Sequence, residues 1–472
     1  MGSLGLARIV VIQRQVGGQR NRIELEVQSV VFPALAASIL YARSFTDWGL
    51  CMNARPSNDS ARLTRTRDAA LRERARRVIP GGMFGHMNVA ALPSNYPQFF
   101  EAAEGCRLRD ADGRSVIDFM CAYGPMIVGY RHPQVDEAVA RQASLGDLMT
   151  GPSARMVELA ERLVALLPHA DWALFQKNGT DATTLCVTIA RAATGRRKVL
   201  VARNAYHGAA PWCTPYPGGV IAEDRAHLVY FDYNDLPSLQ HALESVRGDA
   251  AAVIVSAFKH DFGRDQQLPS AEFAQGVRRL CDEQGAALVL DDVRAGFRLD
   301  LRGSWEPLGV RPDLSAWSKA IANGYPLAFV SGSDAWREAA TQVYATGSFW
   351  CGSVAMAAAL ATLDVLERHD AVAHMHRMGE RLRAGLKAQA LRHGVGIRQT
   401  GPAQMPQVLF DDDPSFERGM LFTEVALDHG VYLHPRHNMF LSLAHTPGDI
   451  DEALRATDIA MAAVAAGFGA NT

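Results

Sequence analysis

The chain has almost no net charge. Across its 472 residues, 48 Lys+Arg stand against 50 Asp+Glu, a formal charge of −2. That balance gives no electrostatic reason to expect nucleic acid or an anionic membrane as the main partner. A membrane span is missing as well: the apolar stretch Val30 to Tyr41 is broken by Pro33 and is shorter than the roughly 20 residues a spanning helix needs. Cysteine is scarce and unpaired in pattern, with 7 residues in scattered positions, never in C-x-x-C spacing. This argues against a disulfide framework or a zinc cage and fits a reducing compartment, so the expected location is cytoplasmic. Repeats and low-complexity tracts are absent too.

What is present is the composition of an ordinary globular protein, 48% apolar and long enough for about two or three domains. Met52 opens a polar segment that reads like a fresh start, so residues 1–51 are expected to be an extension of doubtful relevance. Asp68 to Val78 has a helical pattern that stops at Pro80-Gly81-Gly82. Arg107-Leu108-Arg109 and Ser115 to Phe119 flank Asp112-Gly113, a good hairpin signal. Beyond Gly129, helical stretches separate short apolar runs at Trp172–Phe175, Lys198–Val201, Ala250–Val255, Ala286–Leu290, Leu314–Trp317 and Leu327–Val330. Continuous apolar runs alternating with helices predict an α/β protein with a parallel sheet covered on both faces.

Such sheets place ligands at the carboxyl ends of their strands, and three of these ends are chemically loaded. In Asn178-Gly179-Thr180-Asp181, a glycine, a hydroxyl and a helix N-terminus suit a phosphate, although the same residues make a plain helix cap. Leu290-Asp291-Asp292 ends a buried strand in two carboxylates, which call for a positive partner. A protonated ring nitrogen or a structural pair with Arg294 or Arg298 would serve, whereas no set of further ligands for a metal stands at matching strand ends. Lys319 follows Leu314–Trp317 directly. Burial there would yield a nucleophilic amine, unless the side chain snorkels to solvent. Together these are the parts that pyridoxal phosphate requires: a phosphate anchor, a carboxylate for the pyridine nitrogen and a lysine. Tyr206 and His207, after the strand at 198–201, add an aromatic for the ring face.

The motifs N-G-T-D-A-T at 178–183, A-Y-H-G at 205–208, L-D-D-V-x-x-G-F-R at 290–298, S-K at 318–319 and S-L-A-H-T at 442–446 resemble those of class III aminotransferases of the glutamate-1-semialdehyde aminomutase type. The likeness covers about residues 70–465. It implies pyridoxal-phosphate fold type I: a large, mostly parallel sheet domain (121–350) plus a small α+β domain built from N-terminal (52–120) and C-terminal (351–472) segments. It further implies Lys319 as the Schiff-base lysine, Asp291 at the pyridine nitrogen and Tyr206 on the ring. Gly179 and Thr180 would bind the phosphate, with Asn178 and His207 beside them, and Ser348 would reach it from the neighbouring subunit of a homodimer with shared active sites.

Several segments depart from the aminomutase pattern. Met83 to Met87 and His434 to Phe440 replace segments that handle a substrate carboxylate, which disfavours an isomerase. Segments such as I-P-G-G-M-F-G-H, F-M-C-A-Y-G-P and H-N-M-F-L-S resemble bacterial aminotransferases acting on hydrolysed fumonisin. The implied substrates are a long-chain aminopolyol and a 2-oxo acid such as pyruvate. Arg436 is the candidate for the acceptor carboxylate, and Tyr123 and Phe84 are candidate pocket walls. The rivals are an aminomutase and a non-catalytic binding protein of the same fold.

Overall fold

In the computed structural model residues 66–469 are described, so the expectation for residues 1–51 falls outside them. Thr66 caps the first helix, α1 (Arg67–Val78), by accepting the Ala69 amide. Strands β1 (Phe100–Glu104), β2 (Arg107–Asp110) and β3 (Ser115–Asp118) follow as antiparallel neighbours, with the Asp112-Gly113 turn where the hairpin pattern places it.

The middle of the chain alternates as its apolar runs suggest. Helices α2 (Pro133–Leu145) and α3 (Ala154–Leu166) precede β4 (Trp172–Gln176), α4 (Gly179–Thr194) and β5 (Lys198–Ala202). Then come β6 (Leu228–Phe231), α5 (Leu236–Ser245), β7 (Ala250–Ser256), α6 (Ala271–Gln284) and β8 (Ala287–Asp291), followed by β9 (Leu314–Trp317) and β10 (Ala328–Gly332). The seven strands lie in the order β4-β10-β9-β8-β7-β5-β6.

All run parallel except β10, which is antiparallel to both its neighbours. A strand buried on both faces carries the same apolar signature in either direction, so the sequence pattern does not reveal this reversal. Successive residues point to opposite faces: Val199, Ala252, Ile254 and Val289 meet α4, while Leu200, Val253, Val255 and Leu288 meet α5 and α6.

The last part contains α7 (Arg337–Gln342), α8 (Ser353–Arg368), α9 (Ala371–His393), β11 (Ile397–Thr400), β12 (Gln407–Phe410), α10 (Glu417–Asp428), β13 (Val431–Tyr432) and α11 (Pro447–Phe468). Here the two ends of the described chain meet: β13 pairs in parallel with β3, completing a four-stranded sheet β1-β2-β3-β13. The architecture is that of fold type I, a large, mostly parallel α/β sheet with further elements drawn from both ends. Among the described residues no helix is long and apolar enough to cross a membrane.

Candidate active site

Because β4, β5, β7, β8 and β9 run the same way, their carboxyl ends share one edge of the sheet. At the end of β4, Asn178 caps α4 by accepting the Asp181 amide at 3.0 Å. The first intrahelical bond from this end runs from the Ala182 amide to the Asn178 carbonyl, so the amides of Gly179 and Thr180 lie outside the helical ladder. Close packing around them admits no side chains. A Cβ on Gly179 would come 2.7 Å from Val293 Cγ1, and one on Gly208, at φ +132°, would come 2.5 Å from Thr180 Oγ1. That hydroxyl accepts the Ala209 amide at 3.0 Å. The result is a tight concave cradle at a positive helix end.

Asp291 ends β8. It is buried and accepts hydrogen bonds from His207 Nδ1 at 2.7 Å and the Val293 amide at 3.1 Å. His207 Nε2 is buried without a partner among the described residues. Asp292, one residue on, faces the other way into Ser304, whose amide donates at 3.0 Å and whose hydroxyl also donates. Among the described residues neither carboxylate pairs with an arginine, so the structural ion pair weighed with Arg294 or Arg298 is not formed. Arg298 instead donates to the carbonyls of Gly124 and Leu441 and lies 5.1 Å from the Phe440 ring centre.

Lys319 opens a short helical turn after β9, with φ at 46°. Its amine donates to the Tyr123 carbonyl at 3.0 Å. Burial, then the neighbouring Arg294, pushes its pKa down to about 7, with Asp291 opposing. The lysine therefore does not snorkel away. The segment that receives it is itself strained: Cys121, Ala122 and Tyr123 all have φ between 46° and 62°, a conformation that costs energy in non-glycine residues and collects at functional sites. Gly124 follows because a Cβ there would meet Phe440 at 3.1 Å and Lys319 Cδ at 3.3 Å.

Other candidates fall at the margins. Tyr206 is about 42% exposed, beside the buried His207. Phe84 is exposed at 69%, close in sequence to His86, whose ring stands edge-on to Tyr123 at 4.5 Å. Ser348 is exposed. Arg436 has a setting other than the cleft cation expected of it. Its guanidinium lies over the rings of Phe262 and Phe416, and Nη2 donates to the Ala91 carbonyl at 3.4 Å; burial first, and then this guanidinium, push His434 down to about 3.

Of the arginines acting on the lysine, Arg294 acts most strongly; from sequence it figures only as an ion-pair partner. Its Nη1 donates to Asn438 Oδ1 at 2.6 Å and lies 3.4 Å from His437 Nε2. His437 and His260 are held well below the usual imidazole range, by burial first and then by Arg294. Their rings are thus neutral at physiological pH.

These residues fit pyridoxal phosphate. The Gly179–Thr180 cradle suits its phosphate, Asp291 is a buried carboxylate with no Lys or Arg partner among the described residues, and Lys319 is an amine lowered toward neutrality.

The comparisons with known proteins agree. The model of the aminotransferase class-III family matches residues 89–455. The chain is 52% identical over 403 residues to the aminopentol aminotransferase of Sphingopyxis macrogoltabida, covering 85% of this chain and 96% of that protein. It is 33% identical over 395 residues to the 3-aminobutyryl-CoA aminotransferase of Cloacimonas acidaminovorans, covering 82% and 95%. Its structure resembles that of the FumI protein of Sphingopyxis sp. MTA144, solved with PLP, at a TM-score of 0.84 and 51% identity over 85% of this chain and 97% of the other. The chain belongs to the class-III aminotransferases and is an enzyme that transfers amino groups with pyridoxal phosphate.

Proposed function

We propose that the amino donor is a primary amine on a long-chain polyol, such as hydrolysed fumonisin, and that the acceptor is a 2-oxo acid such as pyruvate. One observation carries this reading. Lys319 shares its cleft with rings that bear polar atoms but no charge: His86, Tyr123 and His437. The Tyr123 ring stands 4.5 Å from His86 and 5.5 Å from His437. Burial pushes the Tyr123 hydroxyl up to about 12, and it donates to the His86 carbonyl at 2.9 Å. Such a wall suits a chain of carbon and hydroxyl groups. The aminopentol aminotransferase at 52% identity supports the same substrate class.

When bound, pyridoxal phosphate supplies the electron sink for breaking a bond at the amine-bearing carbon. In this proposal Gly179 and Thr180, with Asn178 shaping the turn, bind its phosphate. Asp291, oriented by His207, is the anion for its ring nitrogen, and Tyr206 covers its ring. Lys319 would take the proton from the substrate carbon as a neutral amine and, as an ammonium, pass it on to the cofactor side rather than return it, the net proton shift that amino transfer requires. The Tyr123 carbonyl fixes the line along which it does so.

The same proposal divides the described residues into a large body at 121–350 and a small one joining 66–120 with 351–469, as the pairing of β3 with β13 supports. It makes the enzyme a cytoplasmic homodimer in which Ser348 completes the neighbour's site. Leu145, Met149, Tyr344 and Phe349 are large apolar side chains left exposed, Tyr344 by 91%, and a second copy would cover them.

A panel of amines tests the reading, with long-chain aminopolyols, alanine and 1-phenylethylamine each offered with and without pyruvate. The expected result is fastest transfer from the aminopolyol, only when pyruvate is present, with the parallel kinetic lines of two separate half-reactions. Conversion of more than one equivalent of an amine per site without any acceptor would instead identify an aminomutase, and an aminopolyol left unconverted would overturn the proposed donor.

A further inference from the structure

Resting on that reading of the reaction, we infer that Arg294 is the residue that binds the carboxylate of the 2-oxo acid. It follows Asp291 by three positions at the end of β8, on the strand edge that carries the site, and is partly exposed. Other arginines nearby are turned to other partners. Arg298 is fully buried and bound to two carbonyls and a ring, and Arg436 lies over two phenyl rings.

Arg294 has only neutral side-chain partners. It forms no ion pair among the described residues, in contrast to Arg278, which meets Asp313 at 2.9 Å and Asp282 at 2.6 Å. Removing a guanidinium from water without a carboxylate to meet it is costly. Its two recorded bonds, to Asn438 and His437, both use Nη1. A guanidinium has five N–H donors, so Nη2 and Nε are left for the two parallel bonds that a carboxylate accepts.

Asn438 is suited to this arrangement. It is buried, and its Nδ2 donates to the Met439 carbonyl at 2.7 Å, which leaves Oδ1 aimed at Arg294. A neutral amide holds the guanidinium in place without neutralising it, so an arriving carboxylate displaces no resident anion. The arrangement also lets one cleft take two unlike substrates in turn: an uncharged chain along the rings of His86, Tyr123 and His437, and a small anion against Arg294.

The two half-reactions of the holoenzyme, measured separately, test this. Arg294→Gln is expected to raise the KM for pyruvate by about 10- to 100-fold, the usual worth of a lost charge-assisted bond, with a much smaller change in kcat. Butanal, an acceptor without a carboxylate, should lose far less, as should the donor half-reaction. Arg294→Lys should recover part of the pyruvate affinity. Thermal melting of each variant, with the surviving donor half-reaction, separates a folded variant from a collapsed one. A wild type active on pyruvate whose Arg294→Gln variant keeps its pyruvate KM overturns the inference alone. A wild type that uses no 2-oxo acid overturns the proposed reaction, and the inference with it.

Discussion

The cleft has two unlike walls. One is made from the ends of regular elements: β4 and the first turn of α4 give the Gly179–Thr180 cradle, β8 gives Asp291 and β9 gives Lys319. The other is made from loops: the left-handed run at Cys121–Tyr123, the segment around His86, and His437 and Asn438 beyond β13. The first wall is polar by single groups at the rim of an apolar sheet, each with defined partners. The second is a patchwork of neutral rings around one arginine. The chemistry depends on placing a few atoms, which a packed sheet does well. Choice of substrate depends on a surface that loops can change without disturbing the sheet.

If the first wall carries the chemistry, its variants should stop turnover whatever the amine. The largest effect is expected from Lys319→Ala, a loss of turnover of at least ~10³-fold, since no other group on that wall can move the proton. Single-turnover assays with each half-reaction measure it. A Lys319→Ala protein that still converts amines would overthrow the central assignment. Next comes Asp291→Asn, which keeps the shape but removes the anion. A fall of ~10²–10³-fold in kcat/KM is expected, as for other groups that stabilise charge in a closed site. His207→Ala should cost less, because His207 acts through Asp291.

The boundary between the walls can be probed by pH. The Lys319 amine lies near 7 because burial and then Arg294 disfavour its protonated form. Below that value it is protonated and no longer takes a proton, so the rate should fall on the acid side. Removing the guanidinium by Arg294→Gln makes the ammonium easier to form and raises the lysine pKa. The acid limb of the kcat profile for the donor half-reaction should therefore move to higher pH, by less than about one unit. A limb that stays put would mean that the two walls are electrically separate.

The same division decided how much was legible in the sequence. Lys319 and Asp291 stood out because each ends a run of apolar residues buried on both faces, and Gly179 because an apolar run leads through a turn into a capped helix; such patterns are visible in a chain read by itself. Strand β6 did not stand out, although Leu228 to Phe231 are apolar throughout, because four such residues do not by themselves distinguish a strand from a piece of helix. Arg294 was visible but its partner was not: Asn438 lies 144 residues away. The setting of Arg436 likewise depends on Phe262 and Phe416, which only tertiary folding brings to it. Local pattern thus revealed the wall built from regular elements, and long-range contacts hid most of the other.

The smallest expected effect comes from a residue that belongs to neither wall although it adjoins one. Asp292 follows Asp291 but points to the opposite face, buried against Ser304, and burial pushes its carboxyl up to about 7 from an ordinary 3.8. The folded chain therefore holds that proton across a range in which the unfolded chain has released it. By linkage, stability from this group is full below about pH 4 and is lost as pH rises through about 7. The substitution Asp292→Asn keeps a polar partner for Ser304 but leaves nothing there to ionise. Compared with that variant, the wild type should lose about 2–4 °C more in Tm between pH 5 and pH 8, while kcat at a fixed pH changes little. Equal pH dependence in both proteins would show that this carboxylate does not titrate on unfolding. A large loss of kcat would show that the two neighbouring aspartates share one task, and the division between a chemical carboxylate and a structural one would fall.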